Sequence, residues 1–399
     1  MTLAARIGKA GAKKLLALDG GGIRGAMSVE ILAAIEAKLR AQRIAEGVMQ
    51  ASDKFVLADY FDYIAGTSTG AIIASCLAWG MSVDAIRAFY EENGEAMFDA
   101  ESIQRRFTLN KFSDKKLAQK LQDVFREDDG RLATLASSKL QTLLMMVMRN
   151  ATTDSPWWVC NNPNAKYNRP ERRAADKQDC NLDVPLWQLV RASTAAPVFF
   201  PPEMVPFGDK KFEFVDGGIT PHNNPAFQLF LMATAAPYCL NWPAGEDKML
   251  LVSVGTGASP DTEVSFLTRL LGKSVAYQAT HVPNNLMYAM LNEQDMLCRV
   301  FGKCLWGAKL DNEVGDLIGA SGPAQPKLFT YMRYNAELTR KGLDELGLKR
   351  IEPEAVRKLD AVENLKELQA IGKAVANSSV KIEHFSGFIA EGKQSGSAG

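Results

Sequence analysis

Gly66-Thr67-Ser68-Thr69-Gly70 places a serine between two glycines at the spacing of a G-x-S-x-G elbow. A serine on a sharp strand-to-helix turn has a strained backbone, and a side chain at either glycine would collide with its neighbours. A helix starting beneath Ser68 adds a partial positive field that favours an alkoxide or an oxyanion. The chemistry available to such a residue is nucleophilic attack. An ordinary Gly/Ser/Thr turn has the same letters, so the motif needs support from the rest of the chain.

Two further constellations supply it. In Asp19-Gly20-Gly21-Gly22-Ile23-Arg24-Gly25, glycines let several backbone N–H groups converge on one anion, either a phosphate or a tetrahedral oxyanion. The same letters satisfy G-x-G-x-x-G, a dinucleotide loop, but that reading needs an acidic residue at a second strand's end about 20 positions on. Glu36 and Glu46 lie near that offset, within or just after a helical pattern. Phe214-Val215-Asp216-Gly217-Gly218 puts a carboxylate where an apolar strand stops, although Asp-Gly is also a common turn. A nucleophile, an anion loop and a carboxylate at three strand ends would gather at one edge of a sheet.

The elements that must position these residues are legible as short apolar runs. Lys14 to Leu18, Phe61 to Ala65, Leu143 to Met148, Trp157 to Cys160, Phe212 to Val215 and Met249 to Val254 read as strands. Val29, Leu32, Ile35 and Leu39 fall at helical spacing after Ser28, a candidate cap. Ala71 to Leu77 is apolar on all sides, the pattern of a buried helix. Lys115 to Phe125, Leu186 to Ala192 and Asn224 to Thr234 are also helical, and the alternation favours an α/β sheet covered on both faces. From about Asn335 the charged helical segments Ala336 to Leu346 and Pro353 to Ala376 suggest an extension, and Gly392 to Gly399 should be disordered.

Composition narrows the function classes. Lys plus Arg (46) equals Asp plus Glu (46) in 399 residues, so no global field exists to hold a nucleic acid polymer or an anionic membrane. Membrane contact should be peripheral, apolar and local. No run approaches the roughly 18 apolar residues of a bilayer span. No signal-peptide stretch precedes Asp19, so the chain reads as non-secreted and cytoplasmic, with the inner membrane face as a working surface. Cys76, Cys160, Cys180, Cys239, Cys298 and Cys304 are scattered and read as reduced, mostly buried thiols.

Together the three motifs resemble those of the patatin-like phospholipase family. D-G-G-G-x-R-G matches Asp19 to Gly25, G-x-S-x-G matches Gly66 to Gly70, and D-G-[GA] matches Asp216 to Gly218. Arg191-Ala192-Ser193-Thr194-Ala195-Ala196-Pro197 with Phe200-Pro201-Pro202 resembles the family's block before its aspartate, and Val252 to Gly257 its later strand and turn. The resemblance implies a three-layer α/β fold with a mainly parallel central sheet flanked by helices. The hydrolase domain is then expected at about 10–330, followed, on composition, by a C-terminal helical extension at 331–390 and a disordered tail at 391–399.

The resemblance also implies a Ser68–Asp216 dyad that cleaves fatty acyl esters of lipids through an acyl-enzyme, with no metal and no cofactor. The oxyanion hole would come from the backbone of Gly20, Gly21, Gly22, Arg24 and Gly25. Gly66 and Gly70 would shape the elbow, and Gly217 and Gly218 the aspartate's turn. An aspartate, with a reference pKa of about 3.9, serves as a base if it bonds Ser68 directly in a dry pocket. The Arg24 side chain either steadies the loop and its anion or braces the first helix. His222, beside Pro221 and Asn223, reads as a loop or cap residue before a catalytic one.

Secondary readings stay open beside these. Val198-Phe199-Phe200-Pro201-Pro202 with Met204, Val205 and Phe207 could line an acyl groove or pack a core. Trp157-Trp158 reads as strand core before membrane anchor, and Arg169, Arg172, Arg173 and Lys177 as a solvated loop before a phosphate site. The same hydrolase could be a ligand-gated antiphage effector, as in relatives switched on by cyclic nucleotides. Tyr331, Arg333, Tyr334 and Asn335 would then form a base-stacking sensor, or else an amphipathic edge strand. A homo-oligomer and a non-catalytic nucleotide-binding module complete the alternatives.

Overall fold

Every residue of Lys13–Leu18 (β1) is buried, as a strand covered on both faces requires. Its side chains alternate between two cores: Leu16 and Leu18 enter one, Leu15 and Ala17 the other. The computed structural model describes residues 2–98, 113–174, 178–197, 200–259 and 275–389. Tyr63–Thr67 (β2), Leu143–Asn150 (β3), Ser155–Cys160 (β4), Glu203–Phe207 (β5), Lys210–Asp216 (β6), Met249–Val254 (β7), Lys303–Trp306 (β8) and Thr330–Tyr334 (β9) complete one sheet with β1. Its order is β5-β6-β3-β2-β1-β7-β9-β8, with β4 paired to β3. The run from β3 to β8 is parallel, whereas β4 and β6 are antiparallel to β3, and β5 to β6. The mainly parallel α/β sheet read from the sequence is present.

Helices sort to the two faces by the same alternation. Gly25–Ala45 (α1), Thr69–Ala78 (α2), Val83–Phe98 (α3), Ser113–Val124 (α4) and Leu186–Ser193 (α5) join Leu16 and Leu18. Ala226–Thr234 (α6) and the end of Val275–Phe301 (α7) join Leu15 and Ala17. Val29, Leu32, Ile35 and Leu39 are all buried, as their spacing requires. Ser28 is not a cap. The helix starts three residues earlier, running on from the 3-10 turn Gly22–Arg24, and the buried Ser28 hydroxyl donates to the Gly255 carbonyl at 2.8 Å. The amino terminus of α1 therefore opens directly out of the glycine loop.

The chain beyond residue 330 is not helical throughout. Thr330–Tyr334 is β9, flanked by β7 and β8, and all five residues are buried. The edge-strand and sensor readings of Tyr331, Arg333 and Tyr334 fail together, because a strand paired on both edges and covered on both faces offers no ligand surface. Asn335 accepts a hydrogen bond from the Gly257 amide instead. The boundary expected at 330/331 falls within β9. The helix Leu365–Ser379 (α8) packs along α1, with Leu368, Ile371 and Val375 in the shared core. The tail expected at 391–399 lies outside the described residues. Among the described residues no helix is long and apolar enough to cross a membrane.

At Gly372 the backbone of α8 lies close against that of α1. A Cβ there would lie 2.5 Å from the Met27 carbonyl oxygen and 2.8 Å from its Cα. Gly372→Ala should cost about 1–3 kcal/mol through overpacking, exceeding the roughly 1 kcal/mol that alanine gains over glycine in a helix. A urea midpoint at or above that of the parent would show that α8 does not pack this closely on α1.

Candidate active site

The site is built around the outer half of β3. β2 pairs with β3 in parallel and stops at Thr67, opposite Val147, while β6 pairs antiparallel and stops at Asp216, opposite Met148. β4 pairs with Met145 to Asn150 and thus shares partners with both, which leaves β2 and β6 on the same, opposite edge of β3. Two strands running in opposite directions therefore meet end to end, and the residues at their tips face each other. Ser68 is one tip and Asp216 the other.

Their side chains touch directly. Ser68 Oγ donates to Asp216 Oδ2 at 2.5 Å. Ser68 has φ 55° and ψ −125°, a left-handed conformation that strains a non-glycine residue and turns its hydroxyl out of the elbow. Neighbours hold that strain in place. The Ser68 amide donates to Ser193 Oγ at 3.0 Å, and Ser193 Oγ donates to the Val147 carbonyl at 2.6 Å. Gly70 allows α2 to press on the end of β1, since a Cβ there would lie 2.3 Å from the Leu18 carbonyl oxygen. Ser68 is half-buried and reachable, whereas Asp216 is buried.

Asp216 is anchored by its own turn. Its Oδ1 accepts from the Gly218 amide at 2.6 Å, and its amide donates to the Ala195 carbonyl at 2.9 Å. Gly217 opens that 3-10 turn, and its would-be Cβ meets the Val147 carbonyl. Burial pushes the Asp216 carboxyl up to about 6, against the hydrogen bonds from Ser68 and Gly218 and the charge of Arg191. The group is thus a stronger base than a solvated aspartate.

The glycine loop lies over the pair. A Cβ on Gly20 would sit 3.1 Å from Ser68 Cβ. Hydrogen bonds divide the five loop residues singled out in the sequence. The Gly20 amide donates to the Asn223 carbonyl, the Arg24 amide to the Gly21 carbonyl, and the Gly25 amide to the Gly22 and Ile23 carbonyls. The Gly21 and Gly22 amides have no acceptor among the described residues. Gly22, at φ +58°, is hemmed by the Leu359 carbonyl oxygen, 2.1 Å from a would-be Cβ. Arg24 Nε reaches back to the Gly21 carbonyl at 3.4 Å, so the side chain steadies the loop.

Neither His222 nor His384 contributes its ring to this arrangement. The His222 carbonyl accepts from Thr67 Oγ1 at 2.7 Å, but its ring packs edge-on against Trp158, and burial pushes its imidazole down to about 4. His384 bonds the Tyr334 hydroxyl through Nδ1 at 2.8 Å and stacks on Trp306. The side chain of His281 lies outside the described residues. Of the secondary candidates, Trp157, Trp158, Phe207 and Arg172 line a cavity of about 710 Å³. Trp157 clusters with Phe207, Phe212 and Phe214, while Arg172 and Arg173 pair with Asp179 and Asp183. Phe200 and Val205 are buried and Met204 is half-exposed; Val198, Phe199 and Lys177 lie outside the described residues.

Sequence reasoning missed several supports. Ser193, Asn223, Thr256 and Arg333 all brace the motifs, Thr256 through a 2.7 Å bond from its Oγ1 to the Gly20 carbonyl. Ser193 and Thr256 lay inside blocks already singled out for the resemblance, and Arg333 carried a signal as a single charge inside the otherwise uncharged run Leu328 to Tyr334.

A family profile described as patatin-like phospholipase matches residues 16–230. An intracellular phospholipase A2 of Caenorhabditis elegans is 29% identical over 275 residues, 66% of this chain and 21% of that protein. A probable inactive patatin-like protein 9 of Arabidopsis thaliana is 26% identical over 286 residues, 67% of this chain and 66% of that protein. A cGAMP-activated phospholipase of Vibrio cholerae is 29% identical over 224 residues, 54% of this chain and 56% of that protein. The chain spans less than two thirds of the length of these curated relatives.

The raised Asp216 carboxyl gives a pH signature. If Asp216 is the base for Ser68, protonation below about pH 6 removes it. Phosphonylation of Ser68 by a fluorophosphonate should rise about tenfold per pH unit up to about 6 and then level off. A rate that is flat from pH 4 to 8 would exclude Asp216 as the base.

Proposed function

We propose, since this chain belongs to the patatin-like phospholipase family, that it is a serine acyl hydrolase cleaving fatty acyl esters of lipids through Ser68 and Asp216. The observation that carries this reading is the 2.5 Å bond from Ser68 Oγ to Asp216 Oδ2, with no imidazole between them.

Asp216 takes the hydroxyl proton as Ser68 Oγ bonds to the ester carbonyl carbon. The carbonyl oxygen becomes an oxyanion within reach of the Gly21 and Gly22 amides at the positive end of α1. Collapse of the tetrahedral species expels the alcohol portion of the lipid, which takes the proton back from Asp216. Water then gives a proton to Asp216 and attacks the acyl-enzyme, releasing the fatty acid and restoring Ser68. The left-handed elbow supports this role, since it fixes one hydroxyl direction in both halves of the cycle.

A second reading adds control to the same chemistry. The Vibrio relative is described as cGAMP-activated, and here a segment outside the matched family region touches the loop above Ser68. The Ile23 amide donates to the Leu359 carbonyl at 2.9 Å. A ligand or partner that moves the Leu359 segment would thereby move the glycine loop.

Ser68→Ala should abolish hydrolysis of a short soluble ester, and Asp216→Asn should lower kcat by several orders of magnitude. His384→Ala should leave both kcat and KM near the parent values. Equal losses in the histidine and aspartate variants, at unchanged stability, would replace the dyad with a triad.

Control is read separately, by mass spectrometry of phospholipid products with and without cGAMP. A gated enzyme should cleave soluble ester at all times and bilayer lipid only with the nucleotide. Full bilayer turnover without it would remove the gate.

A further inference from the structure

Asp19 is the last residue before the glycine loop, and it is buried together with three charged partners. Arg333 of β9 grips its carboxylate with two nitrogens, Nη2 to Oδ2 at 2.5 Å and Nη1 to Oδ1 at 3.2 Å. The same guanidinium donates through Nη1 to Ser253 Oγ at 2.6 Å and lies 3.6 Å through Nε from Asp295 Oδ2. Asp295, on α7, is held in turn by Arg299 at 2.7 and 2.9 Å and by the Tyr331 hydroxyl at 2.9 Å. Charges of opposite sign thus alternate from α7 to the mouth of the loop: Arg299, Asp295, Arg333, Asp19. Each is nine-tenths buried or more.

Such a chain is a poor means of stabilising a core. Removing charges from water costs several kcal/mol per ion, and apolar residues of similar volume do as well or better. Its location suggests another use. The backbone of the loop is pinned at Asp19 by its amide bond to Val254, at Gly20 by Asn223 and Thr256, and at Ile23 by Leu359. Between these pins lie only Gly21 and Gly22, whose amides have no acceptor among the described residues and whose missing side chains leave little intrinsic stiffness. Rotation of the Asp19 side chain would tilt the first pin, and the two-nitrogen grip of Arg333 prevents that rotation.

We propose that Arg333, seated on Asp295, is a positioning residue for the oxyanion hole. Acting through Asp19, it fixes the direction of the Gly21 and Gly22 amides. This rests on the Ser68 hydrolase reading above. It differs from the sensor role first considered for Arg333, because the side chain reaches the catalytic loop and no solvent.

The test combines kinetics on a short soluble ester with amide hydrogen exchange of the segment Leu18 to Arg24. Loss of one oxyanion donor lowers kcat about 10²–10³-fold. Arg333→Met should therefore lower kcat about 10²-fold, and the isosteric Asp295→Asn about tenfold, both with KM within about twofold of the parent. Both should speed exchange in the loop ahead of the rest of the sheet.

In the Asp19→Asn/Arg333→Met double variant, kcat should fall no further than in the poorer single variant, because the two residues act in series. Multiplying losses, or unchanged kcat and loop exchange in folded Asp295→Asn, would overturn the proposal. If Arg333→Met does not fold, Arg333→Lys and Asp295→Asn decide the matter. Should the parent show no Ser68-dependent turnover, the hydrolase reading fails by itself. Loop exchange then still separates an Arg333 that holds the loop from one that does not.

Discussion

A direct bond between a serine hydroxyl and a buried carboxylate works only if two chain segments end at one point with their backbones fixed. Here that point is set by Val147 and Met148 of β3, the partners of the last residues of β2 and β6. The two strands approach from opposite directions along one edge, so neither can extend without displacing the other. Ser193 seals the junction, accepting from the Ser68 amide and donating to the Val147 carbonyl. A left-handed serine costs on the order of 1–3 kcal/mol and persists only where its surroundings over-determine it. The sheet, α2 and Ser193 provide that surplus.

To act as the proposed base, Asp216 must be both buried and ionised, and its environment is a compromise between the two. Complete desolvation without donors would leave the carboxyl protonated, and full solvation would make it too weak a base. The Gly218 amide, Ser68 Oγ and the nearby Arg191 offset part of the burial, and the group settles near 6. No histidine is then required to bridge serine and carboxylate. The ring of His222, a few residues further on, is kept neutral by burial and used for packing on Trp158.

The glycine loop faces the opposite problem, since its Gly21 and Gly22 amides have no acceptor among the described residues to hold them. Distant parts of the chain supply the rigidity: Asn223 after β6, Thr256 after β7, Arg333 on β9 and Leu359 before α8. Residues after 330 are thereby tied to the same site as residues 19–25. The sheet partner of β7 and the brace of the first loop belong to a region that composition alone marks as an appendage.

The sequence by itself determined the letters of the chemistry and the class of fold. Ser68 between Gly66 and Gly70, the Asp19 to Gly25 run and the Asp216 turn announce themselves because close backbone approach permits few residue types. The apolar runs of β1 and β7 likewise read as strands because both faces are covered. What only the tertiary structure decided is set by long-range pairing, which leaves no local trace. The antiparallel docking of β6 beside β2, the engagement of the Gly20 amide by Asn223, and the place of β9 between β7 and β8 all depend on partners far along the chain. Arg333 shows the limit most clearly. A lone arginine among apolar residues says that a counter-charge must exist, and only the fold shows that it is Asp19, 314 residues away.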